Sequence, residues 1–179
     1  MIDDFNTDHT GWARFSDNRK LRYRLARSLT GEPLAVEGGI VQSDKRCVFL
    51  MLNPSTADAF KLDPTNQRCF GFATKWKFRV MEVVNIFALR STDPLGLRKP
   101  RAVLGHDATN DDQIMAACRG ADRVVAAWGN HGLWCDRGAQ VHQTLREHGI
   151  ALCAFAITKQ DQPNHPLYIP LAARVKKWR

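Results

Sequence analysis

The sequence predicts an α/β fold: a three-layer α/β/α domain around a four-stranded parallel sheet, with an N-terminal β appendage. Three observations predict it. From residue 46 onward, short apolar runs alternate with amphipathic stretches. The apolar runs are continuous, the pattern of parallel strands covered on both faces. The amphipathic stretches carry helix-start chemistry or end on glycine. A chain of 179 residues suits one domain, with 1–45 as the appendage and 46–179 as the core.

The elements follow in order. "KLRYRLARSL" shows a partial period of two, Leu21, Tyr23 and Leu25 against Arg22 and Arg24, and reads as a half-exposed strand. "EGGIVQSDKR" predicts a hairpin around Gly38 and Gly39. "CVFLML" is the first core strand. "DPTNQRCFGFATKW" starts a helix with Asp63 as N-cap and Pro64 in the first turn. "VMEVVNIFAL" is the second strand. "TNDDQIMAACRG" is a helix, with Thr109 as its cap, Asp112 as the capping-box acid and Gly120 at its end. "DRVVAAWG" is the third strand, and "GAQVHQTLREHG" the third helix, closed by Gly149. "IALCAFAIT" is the fourth strand, and "PLYIPLAARVKKW" is read as holding a last short helix.

Composition narrows the function classes. The five cysteines are scattered and form no C-x-x-C, which argues against a zinc ribbon or disulfide framework and for a reducing cytoplasm. The acidic start "MIDDFNTDHTGW" is unlike a signal peptide, and no apolar run reaches membrane-helix length. No cofactor or metal is expected: His131 and Cys135 stand at helical spacing without further ligands. The net charge of +8 is compatible with a polyanionic partner. Arg14, Arg19, Lys20, Arg22, Arg24 and Arg27 cluster near the start, and Arg174, Lys176, Lys177 and Arg179 near the end. These clusters are either a binding surface or a solvated face.

In parallel sheets, ligands bind beyond the carboxyl ends of the strands. The four exits are "NPSTAD", "NIFALRSTDP", "WGNHG" and "TKQDQPNHPLY", all polar and rich in Gly or Pro. In that order they resemble the exits of the uracil-DNA glycosylase superfamily, over roughly residues 46 to 170. "MLNPST" is similar to the G-x-N-P-G form of its mismatch-specific branch. "VVNIFALRS" places Asn85 where classical members carry a base-reading Asn. "VVAAWGNHG" is similar to the third-strand turn, and "PNHPLY" to the His-Pro motif. The sequence departs from that pattern at Leu52 and Ser55, which stand for two glycines, and at Leu167, which stands for a DNA-gripping Ser. "MLNPSTAD", "LDPT", "NIFALRSTDP" and "AAWG" more closely resemble a bacterial and phage family catalogued as domain of unknown function 1643.

The resemblance implies a nucleic-acid or nucleotide partner and hydrolysis of an N-glycosidic bond. That chemistry needs a positioned water, donors for the departing base anion, and a pocket that holds the base. Asn53 is the candidate to orient water, or it braces the turn. Pro54, Ser55, Thr56 and the loop amides are candidates for phosphate or base contacts. Asp58 and Asp63 are the nearby carboxylates, as general base, metal ligand or, for Asp63, simply the helix cap. Arg68 and Arg90 are phosphate candidates, the latter alternatively paired with Asp93. Asn85, buried in an apolar strand, needs partners and suits base-edge reading. Trp128, before Gly129, either stacks on a base or fills the core. His165, between Pro163 and Pro166, takes the family's leaving-group role or is a loop histidine. The expectations are therefore a glycosylase-like enzyme, a non-catalytic nucleic-acid-binding module, or another hydrolase or transferase on the same fold.

Overall fold

The computed structural model describes residues 1–93, Leu97 and residues 107–178. Pro94, which ends the "NIFALRSTDP" motif, and Arg179 of the basic C-terminal cluster lie outside the described residues.

One sheet of eight strands organises the chain, in the order β1-β2-β3-β7-β6-β8-β9-β10. Its centre is parallel: β6 (Arg46–Met51) pairs with β7 (Val80–Asn85) on one side and β8 (Arg123–Ala126) on the other, and β8 pairs with β9 (Leu152–Ala154). These are the four core strands of the sequence reading, and β6 and β7 are buried along their whole length. Alternate residues of β6 serve opposite faces. Cys47, Phe49 and Met51 pack with Cys69, Phe72 and Ala73 of helix α1 (Pro64–Lys75). Val48 and Leu50 pack with Ile114 of α2 (Ala108–Cys118) and with Val141 and Leu145 of α3 (Arg137–Glu147). Helices thus cover both faces of a mixed α/β sheet.

Of the appendage and the sheet edge that the N-terminal sequence allows, the structure has the edge: these strands form the antiparallel side of the sheet. β1 (Ile2–Phe5) pairs with β2 (Gly11–Phe15), β2 with β3 (Arg22–Ser28), and β3 with β7. The strand expected to be half exposed is buried from Arg22 to Arg27. Its arginines break the apparent polar alternation because each has an internal partner. Arg24 and Arg46 both pair with Glu82, itself 0% exposed. Arg27 donates to the Asp58 carbonyl. Arg14 and Arg19 pair with Asp3 and Asp4 of β1. The N-terminal cluster is therefore largely neutralised or turned inward, not a basic surface.

Smaller differences have local causes. The hairpin around Gly38 and Gly39 forms, as β4 (Ala35–Glu37) and β5 (Ile40–Gln42), with both glycines at positive φ. Asp63 caps α1 by accepting from the Asn66 N–H at 2.8 Å. Asp107, not Thr109, caps α2, accepting from the Asn110 N–H at 3.1 Å. The helix therefore begins earlier than the Thr109–Asp112 box suggests. The C-terminal segment holds only a 3-10 turn at Pro166–Tyr168, and the chain then forms β10 (Lys176–Trp178), antiparallel to β9. Trp178 ties this strand down by stacking on His142 at 4.3 Å and meeting Trp128 edge-on at 5.4 Å. No helix among the described residues is long and apolar enough to cross a membrane.

Candidate functional site

The exits of the parallel strands meet over a cavity of ≈ 510 Å³, within the range of small-molecule sites. Each exit is fastened by backbone bonds. The first and second are joined where Ser91 N–H donates to the Pro54 carbonyl at 2.8 Å. Asn53 completes that join: its Nδ2 donates to Pro54 O at 3.1 Å and Ser91 O at 2.9 Å. Both amide hydrogens are thereby used, and Oδ1 has no partner among the described residues. Asn53 lines the cavity, so this oxygen is an acceptor suited to a water or a ligand donor.

Asn85 lies in register with Met51 at the last position of β7. Its Oδ1 accepts from Arg22 Nη2 at 3.3 Å. The backbone beyond it is held by Asn110 Nδ2, which donates to the Asn85 and Ile86 carbonyls at 3.0 and 3.2 Å. Arg137 Nε also donates to Ile86 O, at 2.9 Å. The starts of α2 and α3 thus pin the second exit.

The third and fourth exits are joined by the Gly129 N–H, which donates to Pro163 O at 2.8 Å. Gly129 has φ +70 and ψ -171, a region open essentially to glycine. His165 follows, with its ring Nδ1 accepting from Leu167 N at 3.4 Å. That bond places the proton of the neutral ring on Nε2. Burial, the larger influence, pulls the His165 pKa below the ordinary imidazole range, and Asp63 pulls it partly back. Asp63 also lines the cavity. Its Oδ1 holds both the backbone N–H and the Nδ2 of Asn66, at 2.8 Å each. No hydrogen bond to Oδ2 forms among the described residues, so the carboxylate that caps α1 keeps one oxygen free of such bonds.

Asn53, Ser55, Asp63, Asn85, Trp128, Gly129 and His165 therefore share one cavity. Five other candidates do not line it. Pro54 is buried and supplies only its carbonyl. Thr56 is exposed. Asp58 folds its own loop, accepting from the Phe60 and Lys61 N–H groups at 2.9 Å each. Arg68 donates to Ile169 O from Nε at 3.0 Å. Arg90 lies over the Phe15 ring at 5.2 Å. Trp128 forms a wall rather than a free stacking face. It is 1% exposed, donates from Nε1 to Gln162 Oε1 at 2.9 Å, and is cupped by glycines. A Cβ added at Gly132 would lie 2.0 Å from its Cδ1.

Arg22, Asn66 and Tyr168 also line the cavity and were missed. The sequence places Arg22 on a half-exposed strand, within a basic cluster expected at the surface. Only the antiparallel join of β3 to β7 brings its position beside Asn85. Tyr168 is 83% exposed at the rim. No group of three or more His, Cys, Asp or Glu among the described residues could hold a metal ion.

The family model described as "Protein of unknown function (DUF1643)" matches residues 22–167, and the chain belongs to that family. No curated protein matches the chain, and no solved structure does.

Proposed function

We propose that this member of the DUF1643 family takes a nucleobase or nucleotide into the cavity at its strand exits and hydrolyses an N-glycosidic bond there, as the resemblance to uracil-DNA glycosylases implies. The observation that carries the reading is the convergence of Asn53, Asp63, Asn85 and His165 on one cavity of ≈ 510 Å³. In this reading water adds its oxygen to the anomeric carbon as the C–N bond breaks, and the base leaves with the bonding pair. Asn53 Oδ1 orients the water. An amide cannot take its proton, so the proton goes to Asp63, the carboxylate on the same cavity. His165, neutral and protonated on Nε2, donates to the departing base. Asn85, with Oδ1 held by Arg22, offers Nδ2 to a base oxygen.

The inward turn of Arg22, Arg24 and Arg27 favours a single base or nucleotide over a long polymer wrapped on a basic face. Lys176 and Lys177 remain exposed for phosphate contacts.

The test is base release from single- and double-stranded oligonucleotides and free nucleotides. Asn53→Ala, Asp63→Asn and His165→Ala are each expected to lower it by about 10²-fold or more. Substrate binding without release by the wild-type chain would leave a non-catalytic binding module. Neither binding nor release would end the nucleobase reading.

A further inference from the structure

Arg22 is the most unusual group in the cavity wall. It is 1% exposed, yet no carboxylate lies within ion-pairing distance of it among the described residues. Its hydrogen bonds go to neutral oxygens: Nη1 donates to Ala57 O at 2.8 Å and Nη2 to Asn85 Oδ1 at 3.3 Å. Its buried Nε has no hydrogen-bond partner among the described residues. The contrast within the same strand is informative. Arg24, equally buried, is paired with Glu82.

A buried guanidinium without a counterion is costly, and chains normally pair it. The surrounding field does not compensate it. Burial is the largest influence and lowers the Arg22 pKa to about 10; Asp63 and Asp58 oppose this, while Arg90 and Arg27 add to it. The carboxylate with the largest influence on it, Asp63, is occupied at Oδ1 by Asn66. Asn85, with its oxygen turned to Arg22, has its Nδ2 donor free of any bond among the described residues and available to a ligand. The floor of the cavity therefore presents donors and positive charge.

We propose that Arg22 and Asn85 form a built subsite for an anionic oxygen, with Arg22 supplying charge and Asn85 a directed donor. On the nucleobase reading, from which the ring but not the anion follows, the ligand edge is a ring oxyanion such as a departing oxo-base presents. The same donors also suit a phosphate oxygen. An amino-bearing edge finds in this pair only the Asn85 oxygen that already accepts from Arg22.

Isothermal titration with three probes tests this: uracil, barbiturate (a pyrimidine of similar shape that is an anion at neutral pH) and inorganic phosphate. The wild-type chain is expected to bind barbiturate roughly tenfold or more tightly than uracil. Arg22→Met is expected to abolish that preference. Asn85→Asp places a carboxylate beside the guanidinium, so it is expected to abolish anion binding and to raise the melting temperature. This second variant keeps the test decisive if Arg22→Met does not fold. Phosphate binding more tightly than barbiturate, and displacing it, supports the subsite while overturning the nucleobase reading. Equal binding of uracil and barbiturate with no phosphate binding overturns the subsite, as does anion binding that survives both variants. Base release plays no part in these readouts, so a chain that binds the anion without cleaving anything loses only the enzymatic reading.

Discussion

The Gly129 N–H donates to the Pro163 carbonyl at 2.8 Å, and this bond fastens the exit of β8 to the loop that presents His165. Gly129 reaches it only through its backbone at φ +70 and ψ -171. Gly129→Ala is therefore expected to destabilise the fold by about 1–3 kcal/mol through backbone strain. Urea unfolding measures it. An unchanged midpoint would show that the turn relaxes without cost.

Asn53→Asp separates charge from geometry at the first exit. A carboxylate cannot donate to Pro54 O and Ser91 O, so it would face two carbonyls unpaired. The variant is expected to lose about 1–3 kcal/mol of stability and, on the proposed reading, to lower base release, although it adds a carboxylate at the cavity. Faster release would move the proposed proton acceptor from Asp63 to position 53.

The pH dependence of stability follows from His165 and His142, both lowered chiefly by burial, with Arg146 adding to the effect on His142. As pH falls through about 6.5, the unfolded chain takes up protons that the folded chain still refuses. Their contribution is full above that value and is lost as pH falls from there through the lower folded values. Thermal melts between pH 7.5 and about 5 should show the decline. His165→Gln and His142→Gln should each flatten part of it.

The buried Arg24–Glu82–Arg46 group predicts a large effect of one deletion. Glu82→Ala leaves two guanidinium groups unpaired between the layers and is expected to cost about 3–5 kcal/mol, read by chemical denaturation.

Thiol chemistry offers a check on the packing. Cys47, Cys69 and Cys118 are buried with their pKa values pushed up by burial, Cys118 to about 12. Cys135 and Cys153 are partly accessible. Alkylation of the native chain, read by peptide mass, should reach these two alone. All five should react after denaturation.

The parallel centre was legible because its evidence is local. Continuous apolar runs announce β6 to β9, and the Asp63-Pro64 pair announces α1. The same locality explains the confinement of Asn53, Asn85, Gly129 and His165 to one sheet edge. What was hidden depends on pairing across long sequence distances. A strand reading R-Y-R-L-A-R looks half exposed until Glu82, the Ala57 carbonyl and Asn85 are found on the other side of its arginines. Asp58 and Arg68 were plausible from proximity in sequence, but their side chains are taken up by Phe60 and Lys61 N–H groups and by Ile169 O. Strand β10 is hard to read because "VKKW" has little apolar signal, only Val175 and Trp178 packing against the core.

The antiparallel join of β3 to β7 also governs how the chain behaves if it is cut. Residues 24–28 pair with Val80 to Val84, a strand buried throughout. Removing the first three strands would leave the N–H and C=O groups along that buried strand as a bare, unpaired edge, open to pairing with another chain. A shortened form containing only the parallel centre should therefore self-associate, rather than survive as a smaller working domain.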